Sequence, residues 1–223
     1  MKILALDTTT KFLCLGLYDN GKFYEYNLGA GTALSSLLGI SLKRALEALD
    51  WQVRDIDYFA CGLGPGSFTG IRVGMSAIKG LAYALNKPVI GIPTLDILAE
   101  NVKDKDGYIA PVIDAKRGLI YSCIYSVKGG KIKKLTPYLL LKPAELFRKA
   151  KNNTWILGDA LMLYKQEVLK NIKGARIMDA DYWYPKAHNI IKLALEKIRA
   201  KKFSDAFRIK PVYLYPKECQ IRK

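Results

Sequence analysis

Residues 62–74 read Gly-Leu-Gly-Pro-Gly-Ser-Phe-Thr-Gly-Ile-Arg-Val-Gly, and this run carries the residue types that could hold an anion. Pro65 fixes its own φ and biases the residue before it away from helical geometry, so the turn is stiff. Ser67 or Thr69 is placed to cap a helix that begins near Gly70. A turn of this kind exposes backbone N–H groups at a helix N-terminus, where phosphate commonly binds. The candidate phosphate contacts in the turn are Gly64, Gly66 and Ser67.

Two known motifs that this run superficially matches are excluded by its residues. A Walker loop requires Lys followed by Ser or Thr after its last glycine, but Ile71 and Arg72 follow Gly70. A serine nucleophile elbow requires glycine two positions to either side of the serine, where Pro65 and Thr69 stand. Two interpretations remain: an anion site, and the start of a helix whose glycines allow close packing.

The basic residues of the chain are concentrated in its second half. The 223 residues include 36 Lys and Arg against 20 Asp and Glu, a net charge of +16. Residues 1–100 are neutral, so residues 101–223 hold the whole excess. This distribution fits either a polyanionic partner such as tRNA or a solvated, lysine-rich surface. The candidate RNA contacts are Lys131, Lys133, Lys134, Lys149 and Lys151.

Composition and cysteine usage predict a protein of the cytoplasm. Half of the residues are apolar, which is enough for a core, and no apolar run has the length of a membrane span. The N-terminus reads as a strand and not as a signal peptide. The cysteines are scattered and form no Cys-x-x-Cys pair, which favours reduced, buried thiols over zinc or a disulfide framework. They are Cys14, Cys61, Cys123 and Cys219.

Alternating and helical patterns predict one plan used twice along the chain. In the first half we expect strands at 3–6, 13–17, 22–28, 57–61 and 89–92, with helices at 33–49, 70–86 and 94–102. In the second half we expect strands at 109–113, 119–127, 131–141 and 155–157, with helices after Pro143 and at 160–169 and 185–201. This plan resembles the duplicated α/β lobes of the actin, Hsp70 and sugar-kinase superfamily (ribonuclease H-like), with mixed sheets flanked by helices. We therefore place lobes at 1–103 and 104–223, with a tail that could pack back on the first lobe.

In that superfamily the hairpin after the first strand wraps ATP phosphates, which identifies a candidate hairpin in each half of the chain. The first hairpin is Asp7-Thr-Thr-Thr, with Thr8 and Thr9, but Thr9 replaces the usual glycine and so limits the approach of a phosphate. The matching hairpin of the second half is Asp114-Ala-Lys-Arg-Gly. Either hairpin could instead be an ordinary turn. The second-half candidates for nucleotide or phosphate are Asp114, Lys116, Arg117 and Gly158 of the adenosine loop, and Lys116 and Arg117 could bind RNA instead.

The predicted helix at 70–86 is apolar over most of its circumference, which is typical of a helix buried on two sides. One stripe along it is bulky and faces the sheet, and another is mostly small. The small stripe fits close approach of a second helix, which is either the 33–49 helix of this chain or a helix of another subunit. The candidate partner contacts are Gly70, Gly74, Ala77, Leu81 and Ala84, with Leu34 and Leu38 on the first helix.

As a whole phrase, residues 64–74 resemble the signature of the bacterial TsaB family. The opening Met-Lys-Ile-Leu-Ala-Leu-Asp-Thr-Thr-Thr and the phrases at 91–96, 114–121 and 211–214 fit the same family, so the resemblance covers essentially the whole chain. It implies a subunit without its own catalytic centre that binds and activates a TsaD-type catalytic paralogue through its first lobe. A TsaE-type ATPase joins them, and the complex transfers a threonylcarbamoyl group to the adenosine beside the anticodon of tRNAs that read codons starting with A. ATP or ADP and Mg²⁺ are then held by partner subunits, and a homodimer of the isolated chain is left open.

Metal chemistry is not expected in this chain. The catalytic paralogue holds a metal through a His-x-x-x-His pair on its first long helix, whereas residues 33–43 contain no His. His188 is the only histidine, and we expect it at the surface. One histidine provides neither a two-His site nor a recognisable Ser-His-Asp triad, which argues against a peptidase. The alternative function is a small-molecule kinase or ATPase of the same superfamily, which Asp7 and the two hairpins support.

Overall fold

The computed structural model describes residues 1–216, in which the chain forms two compact units. Unit 1 comprises Met1–Ile97 and Pro185–Pro211, and unit 2 comprises Leu98–Tyr184 and Val212–Pro216. The division therefore differs from a single cut at 103/104, because the segment at 185–211 belongs to the first unit. No helix in residues 1–216 is both long and apolar enough to cross a membrane.

Unit 1 is built on a five-stranded mixed sheet with the order β3-β2-β1-β4-β5. β1 pairs antiparallel with β2 and parallel with β4, and β4 pairs parallel with β5. An Asn-Gly turn joins β2 to β3 through Asn20 and Gly21, both with positive φ, as such turns require. The strands are β1 (Lys2–Asp7), β2 (Phe12–Asp19), β3 (Lys22–Gly29), β4 (Tyr58–Gly62) and β5 (Val89–Ile92).

Helices cover both faces of this sheet because its strands carry apolar residues on both sides. Leu4 and Leu6 of β1 share a core with α1 and α2, whereas Ala5 shares a core with α6. A Cβ on Gly16 would lie 2.9 Å from the Cβ of Ala187, so glycine lets α6 lie close to β2. This contact explains why the last helix belongs to unit 1. The helices are α1 (Leu34–Glu47), α2 (Phe68–Ala84), α3 (Thr94–Glu100) and α6 (Ala187–Arg199).

Ser67, one of the two predicted caps, is the N-cap residue of α2. Its hydroxyl accepts a hydrogen bond from the Gly70 N–H at 3.2 Å. Its own N–H donates to the Thr9 carbonyl oxygen at 2.7 Å. The glycine-rich turn before it contains a cis peptide bond between Gly64 and Pro65. The start of the helix is thus attached to the turn that follows β1.

Unit 2 repeats the strand order of unit 1, which confirms the predicted duplication. The sheet order is β10-β7-β6-β11-β12, with β6 antiparallel to β7 and parallel to β11. A hairpin of β8 and β9, joined at Gly129 and Gly130, pairs with the first part of β6. The strands are β6 (Gly107–Lys116), β7 (Leu119–Ser122), β8 (Tyr125–Lys128), β9 (Lys131–Lys134), β10 (Leu139–Leu141), β11 (Trp155–Leu157) and β12 (Arg176–Ile177). The helices are α4 (Pro143–Lys149) and α5 (Leu161–Asn171).

The two long strands predicted at 119–127 and 131–141 are each interrupted, and prolines give the reason. From Gly107 to Asp114, β6 pairs first with β8 and then with β7 in one register, and the break lies opposite Pro111, which has no N–H to donate. The break between β9 and β10 contains Pro137, and the Thr136 hydroxyl accepts from the Ile124 N–H at 3.0 Å. The short strand β12 was not predicted, because two residues carry no readable alternation.

Candidate functional site

The turn after β1 is buried, and its polar groups bond within unit 1. The N–H and the hydroxyl of Thr9 both donate to Asp7 Oδ1 at 2.8 Å. The hydroxyl of Thr94, the first residue of α3, donates to Thr9 Oγ1 at 3.0 Å. The Thr8 hydroxyl donates to the Gly70 carbonyl oxygen at 2.7 Å. The hydroxyls that the sequence offers to a phosphate therefore attach this turn to α2 and α3.

Glycines of the 62–74 run are required where this turn packs against α2. A Cβ on Gly66 would lie 2.4 Å from the Thr9 carbonyl oxygen, and one on Gly70 would lie 1.9 Å from that of Thr8. A Cβ on Gly74 would lie 2.2 Å from Thr8 Oγ1. All three distances are shorter than a van der Waals contact, so a side chain fits at none of these positions without movement. Close packing within the chain accounts for these glycines, in agreement with one of the two interpretations of the run.

Asp7 lies at the centre of this packed region with one oxygen unsatisfied. Its carboxyl is almost completely buried, and Oδ2 has no hydrogen-bond partner within residues 1–216. A Cβ on Gly62 would lie 1.9 Å from that oxygen. Burial raises the pKa of Asp7 from 3.8 to about 6, and the neighbouring Thr9 and Thr94 oppose this rise only in part. The protonation of Asp7 is therefore coupled to the folding of unit 1.

The small stripe of α2 divides into a buried part and a part nearer to solvent. Gly70 and Gly74 are buried against Thr8, as described. Ala77 and Leu81 are half-buried against the core, and Ala84 is exposed. The two residues predicted on the first helix, Leu34 and Leu38, are buried in the core of unit 1. Most of the predicted contact residues are therefore covered by the chain itself, and the outer surface of α1 and α2 is formed by other residues.

Two exposed glycines lie inside these helices at positions where no other part of the described chain packs close to them. Gly39 of α1 and Gly80 of α2 are both exposed, and a Cβ on either would meet nothing within 4 Å. Apolar side chains on the same two helices are also exposed: Ile40 by 43%, Phe68 by 38% and Tyr83 by 67%. Unlike Gly74, these glycines are not explained by packing inside the chain.

In unit 2, the hairpin between β6 and β7 uses one of its two predicted cations internally. Lys116 Nζ lies 2.6 Å from Asp114 Oδ2, and the Lys116 N–H donates to Asp114 Oδ1 at 2.8 Å. The Asp114 N–H in turn donates to Asp159 Oδ1 at 2.9 Å. Arg117 is exposed at the tip. Lys116 is therefore paired with Asp114, whereas no carboxylate within residues 1–216 pairs with Arg117.

Gly158 begins the loop before α5, where the sequence suggested an adenosine contact. Its φ is +119°, and a Cβ there would lie 2.1 Å from the Val112 carbonyl oxygen. The Ala160 N–H also donates to that oxygen, at 3.3 Å. Glycine is required here by backbone packing against β6.

The predicted RNA-binding lysines are exposed in unit 2. Lys131 and Lys133 point to one face of β9, and Lys128 lies directly opposite Lys131 on β8. Within residues 1–216 no carboxylate lies within ion-pair distance of these three lysines. Lys134 lies on the other face with its Nζ 3.5 Å from the ring centroid of Tyr138. Lys149 and Lys151 are exposed at and after the end of α4.

The remaining titratable residues form no metal-like cluster. Within the described chain no group of three His, Cys, Asp or Glu side chains is arranged to hold a metal ion. Cys14, Cys61 and Cys123 are buried thiols, and Cys219 lies outside the described residues. His188 is half-buried and not at the open surface, since its ring lies 4.3 Å from that of Phe23.

Sequence reasoning missed two residues that organise these sites. Thr94 stands in the phrase Gly-Ile-Pro-Thr, which indicated the family but no contact, and it is the residue that bonds Thr9. Tyr215 lies one residue beyond the phrase at 211–214, and its hydroxyl donates to the Ala115 carbonyl oxygen at 3.0 Å. A contact between positions 100 residues apart leaves no periodic signal in one sequence.

The chain is similar to known proteins over nearly its full length. Residues 30–204 match the family model described as TsaD, tRNA N6-adenosine threonylcarbamoyltransferase. A Bacillus subtilis protein named tRNA threonylcarbamoyladenosine biosynthesis protein TsaB is 28% identical, covering 100% of this chain and 97% of its own length. The Escherichia coli protein of the same name is 27% identical, with 96% and 94% covered. The solved structure of YeaZ from Pseudomonas aeruginosa is 26% identical with a TM-score of 0.82, covering 96% of this chain and 99% of its own.

Proposed function

Because the chain belongs to the TsaB branch of the TsaD family, we propose that it takes part in the biosynthesis of threonylcarbamoyladenosine in tRNA as a non-catalytic subunit. In this proposal unit 1 binds and activates a TsaD-type catalytic paralogue, and a TsaE-type ATPase joins the pair. The complex modifies the adenosine beside the anticodon in tRNAs that read codons starting with A. ATP or ADP and Mg²⁺ are held by the partner subunits.

The proposed partner interface is supported by the exposed glycines and apolar side chains on the outer side of α1 and α2. Glycine inside an exposed helix costs about 0.5–1 kcal/mol relative to alanine. Gly74 has an internal reason for this cost, but Gly39 and Gly80 have none within 4 Å. A partner helix that approaches closely supplies such a reason, and exposed Phe68 and Tyr83 supply apolar area for it.

The turn after β1 supports the non-catalytic part of the proposal. The N–H and the hydroxyl of Thr9 donate to Asp7, so they are already used. The turn packs so closely against Gly66 and Gly70 that a side chain at either position would collide with it. A kinase or ATPase needs donors there that remain available to a triphosphate. The alternative of a small-molecule kinase therefore gains no support from this geometry.

The exposed lysines of unit 2 support a role in holding tRNA. Like charges directly opposite on neighbouring strands repel each other, as Lys128 and Lys131 do here. A polyanion that binds across this face relieves the repulsion and releases its own counterions. We include direct contact between this face and tRNA in the proposal.

The described cysteines support placing this activity in the cytoplasm. Cys14, Cys61 and Cys123 are buried and free of disulfides. Burial raises the pKa of Cys61 to about 12, so this thiol stays protonated and unreactive. Buried, reduced cysteines are typical of proteins in a reducing compartment.

The experiment that tests the proposed interface measures binding of the full chain to its catalytic paralogue. A Gly80→Leu variant places a bulky side chain on the outer side of α2, and we expect it to fold normally and bind the paralogue less tightly. A Thr69→Ser variant is a matched control on the exposed first turn of the same helix. Wild-type affinity in Gly80→Leu would place the interface elsewhere.

A further inference from the structure

Tyr215, in the tail of unit 2, contacts the β6–β7 hairpin at several points. The Tyr215 hydroxyl donates to the Ala115 carbonyl oxygen at 3.0 Å and lies 3.3 Å from that of Lys116. The Tyr215 ring packs edge-on against Tyr121 of β7, with centroids 6.2 Å apart. It also faces Arg117, whose Cζ lies 5.9 Å from the ring centroid. One tail residue thus contacts the backbone of β6, a side chain of β7 and the tip.

The tip of this hairpin has a backbone conformation that its residues rarely adopt. Lys116, Arg117 and Gly118 have φ values of 65°, 53° and 71° in succession. Glycine adopts positive φ readily, but Lys and Arg do so rarely, and Asn is the ordinary choice in a two-residue turn before glycine. Arg117 therefore stands in a conformation that its residue type does not favour and that an Asn-Gly turn would adopt more readily.

The charges of the hairpin leave Arg117 as the group that faces outward. Lys116 is bound to Asp114 at 2.6 Å, and that contact raises the pKa of Lys116. No carboxylate within residues 1–216 pairs with Arg117, which is exposed. Guanidinium groups bind phosphate through two parallel hydrogen bonds, and a stacked tyrosine ring orients them.

We infer that Arg117 is a phosphate-binding residue for the RNA backbone and that Tyr215 of the tail is its positioning residue. An RNA phosphodiester fits better than a free nucleotide, because a triphosphate needs several converging cations and Lys116 is already paired. The choice of RNA rests on the proposed function, whereas the pairing of Arg117 with Tyr215 rests on the contacts alone. Arg117 and Tyr215 belong to unit 2, whereas α1 and α2 belong to unit 1.

The test measures binding of the full chain to an unmodified tRNA transcript as salt is raised from 50 to 200 mM. Arg117→Asn removes the charge and creates an Asn-Gly turn that suits the positive φ, so the fold is retained. We expect tRNA affinity to fall about fivefold to tenfold at 50 mM salt, and the slope of log K against log salt to flatten by about 0.7–0.9. Lys201→Asn is the matched control, since Lys201 is an exposed cation of unit 1 with φ 53°.

Tyr215→Phe tests the positioning role, because it keeps the ring and removes only the hydroxyl. We expect a twofold to threefold loss of tRNA affinity with an unchanged melting temperature, and no further loss when it is combined with Arg117→Asn. Additive losses in the double variant would show that Tyr215 does not act through Arg117.

Three results would overturn the inference as a whole. They are an unchanged salt slope in Arg117→Asn, an equal loss in Lys201→Asn, and no binding of tRNA by the wild-type chain at 50 mM salt. Binding of Mg-ATP that depends on Arg117, without effect on tRNA, would show that the phosphate comes from a nucleotide instead. Failure of the paralogue to be activated would leave these binding results unchanged, so the two proposals fail separately.

Discussion

The two glycines of α2 that differ in their surroundings give the sharpest prediction. A Cβ on Gly74 would lie 2.2 Å from Thr8 Oγ1, whereas one on Gly80 would meet nothing within 4 Å. Overpacking a tight contact costs about 1–3 kcal/mol, and for a chain of this size each kcal/mol lowers the melting temperature by about 2–4 °C. We therefore expect Gly74→Leu to lower the melting temperature of the isolated chain by about 2–12 °C. Gly80→Leu should leave it unchanged or raise it, because leucine favours a helix more than glycine by almost 1 kcal/mol.

Gly80→Leu, which should not lower the melting temperature, should lower the affinity of the chain for the catalytic paralogue. If a partner helix lies close to Gly80, a leucine there opposes binding by about 1–3 kcal/mol, which is roughly a fivefold to hundredfold loss of affinity. The assay combines thermal melting of each variant with calorimetric titration of the paralogue into the same sample. Gly80→Ala is the intermediate case, with a more stable helix and a smaller loss. Unchanged binding in Gly80→Leu together with an intact melt would refute the reasoning from the exposed glycines.

Three further predictions concern the buried carboxyl, the lysine face and a loop glycine. The pKa of Asp7 is raised from 3.8 to about 6, so its ionisation lowers the free energy of unfolding as pH rises through this window. The Asp7→Asn variant should not show that loss. In urea titrations its stability relative to wild type should therefore increase by about 3 kcal/mol between pH 3.5 and 7. A constant difference across this range would show that Asp7 titrates normally. Reversing the charge of Lys131 and Lys133 should weaken binding of tRNA by the assembled complex, with a loss that shrinks as salt rises; equal affinities at low salt would make these lysines a solvated surface. Gly158→Ala should destabilise the chain by more than 1 kcal/mol, since its Cβ would lie 2.1 Å from the Val112 carbonyl oxygen, and a melt like that of wild type would contradict this packing.

The fold could be predicted from sequence because local patterns specify most of its elements. β5 and β11 begin and end where the alternation predicts, and the Asn20-Gly21 turn has the geometry that its residues favour. The strand predicted at 119–127 breaks opposite Pro111 of β6, and the strand predicted at 131–141 breaks at Pro137. A proline inside a strand or inside its neighbour removes an N–H donor, and it is the signal that would have placed these breaks.

The sites were less predictable because their contacts join distant positions. The small stripe on α2 was readable as a pattern, but only the structure shows that Gly74 faces Thr8 and that Gly80 faces outward. Similarly, Lys116 and Arg117 look equivalent in sequence, yet the carboxylate of Asp114 binds Lys116 and not Arg117. Helical periodicity fixes which residues share a face but not what that face meets.

The most direct test of the central claim is a reconstituted assay of tRNA modification. Purified chain, threonylcarbamoyl-adenylate and an unmodified tRNA are incubated with and without the catalytic paralogue, and modified adenosine is measured by mass spectrometry of nucleosides. We predict product only when the paralogue is present, and more product when this chain is added to the paralogue than with the paralogue alone. Product formed by this chain alone, surviving chelation and further purification, would contradict the account, as would a paralogue whose rate does not change when the chain is added.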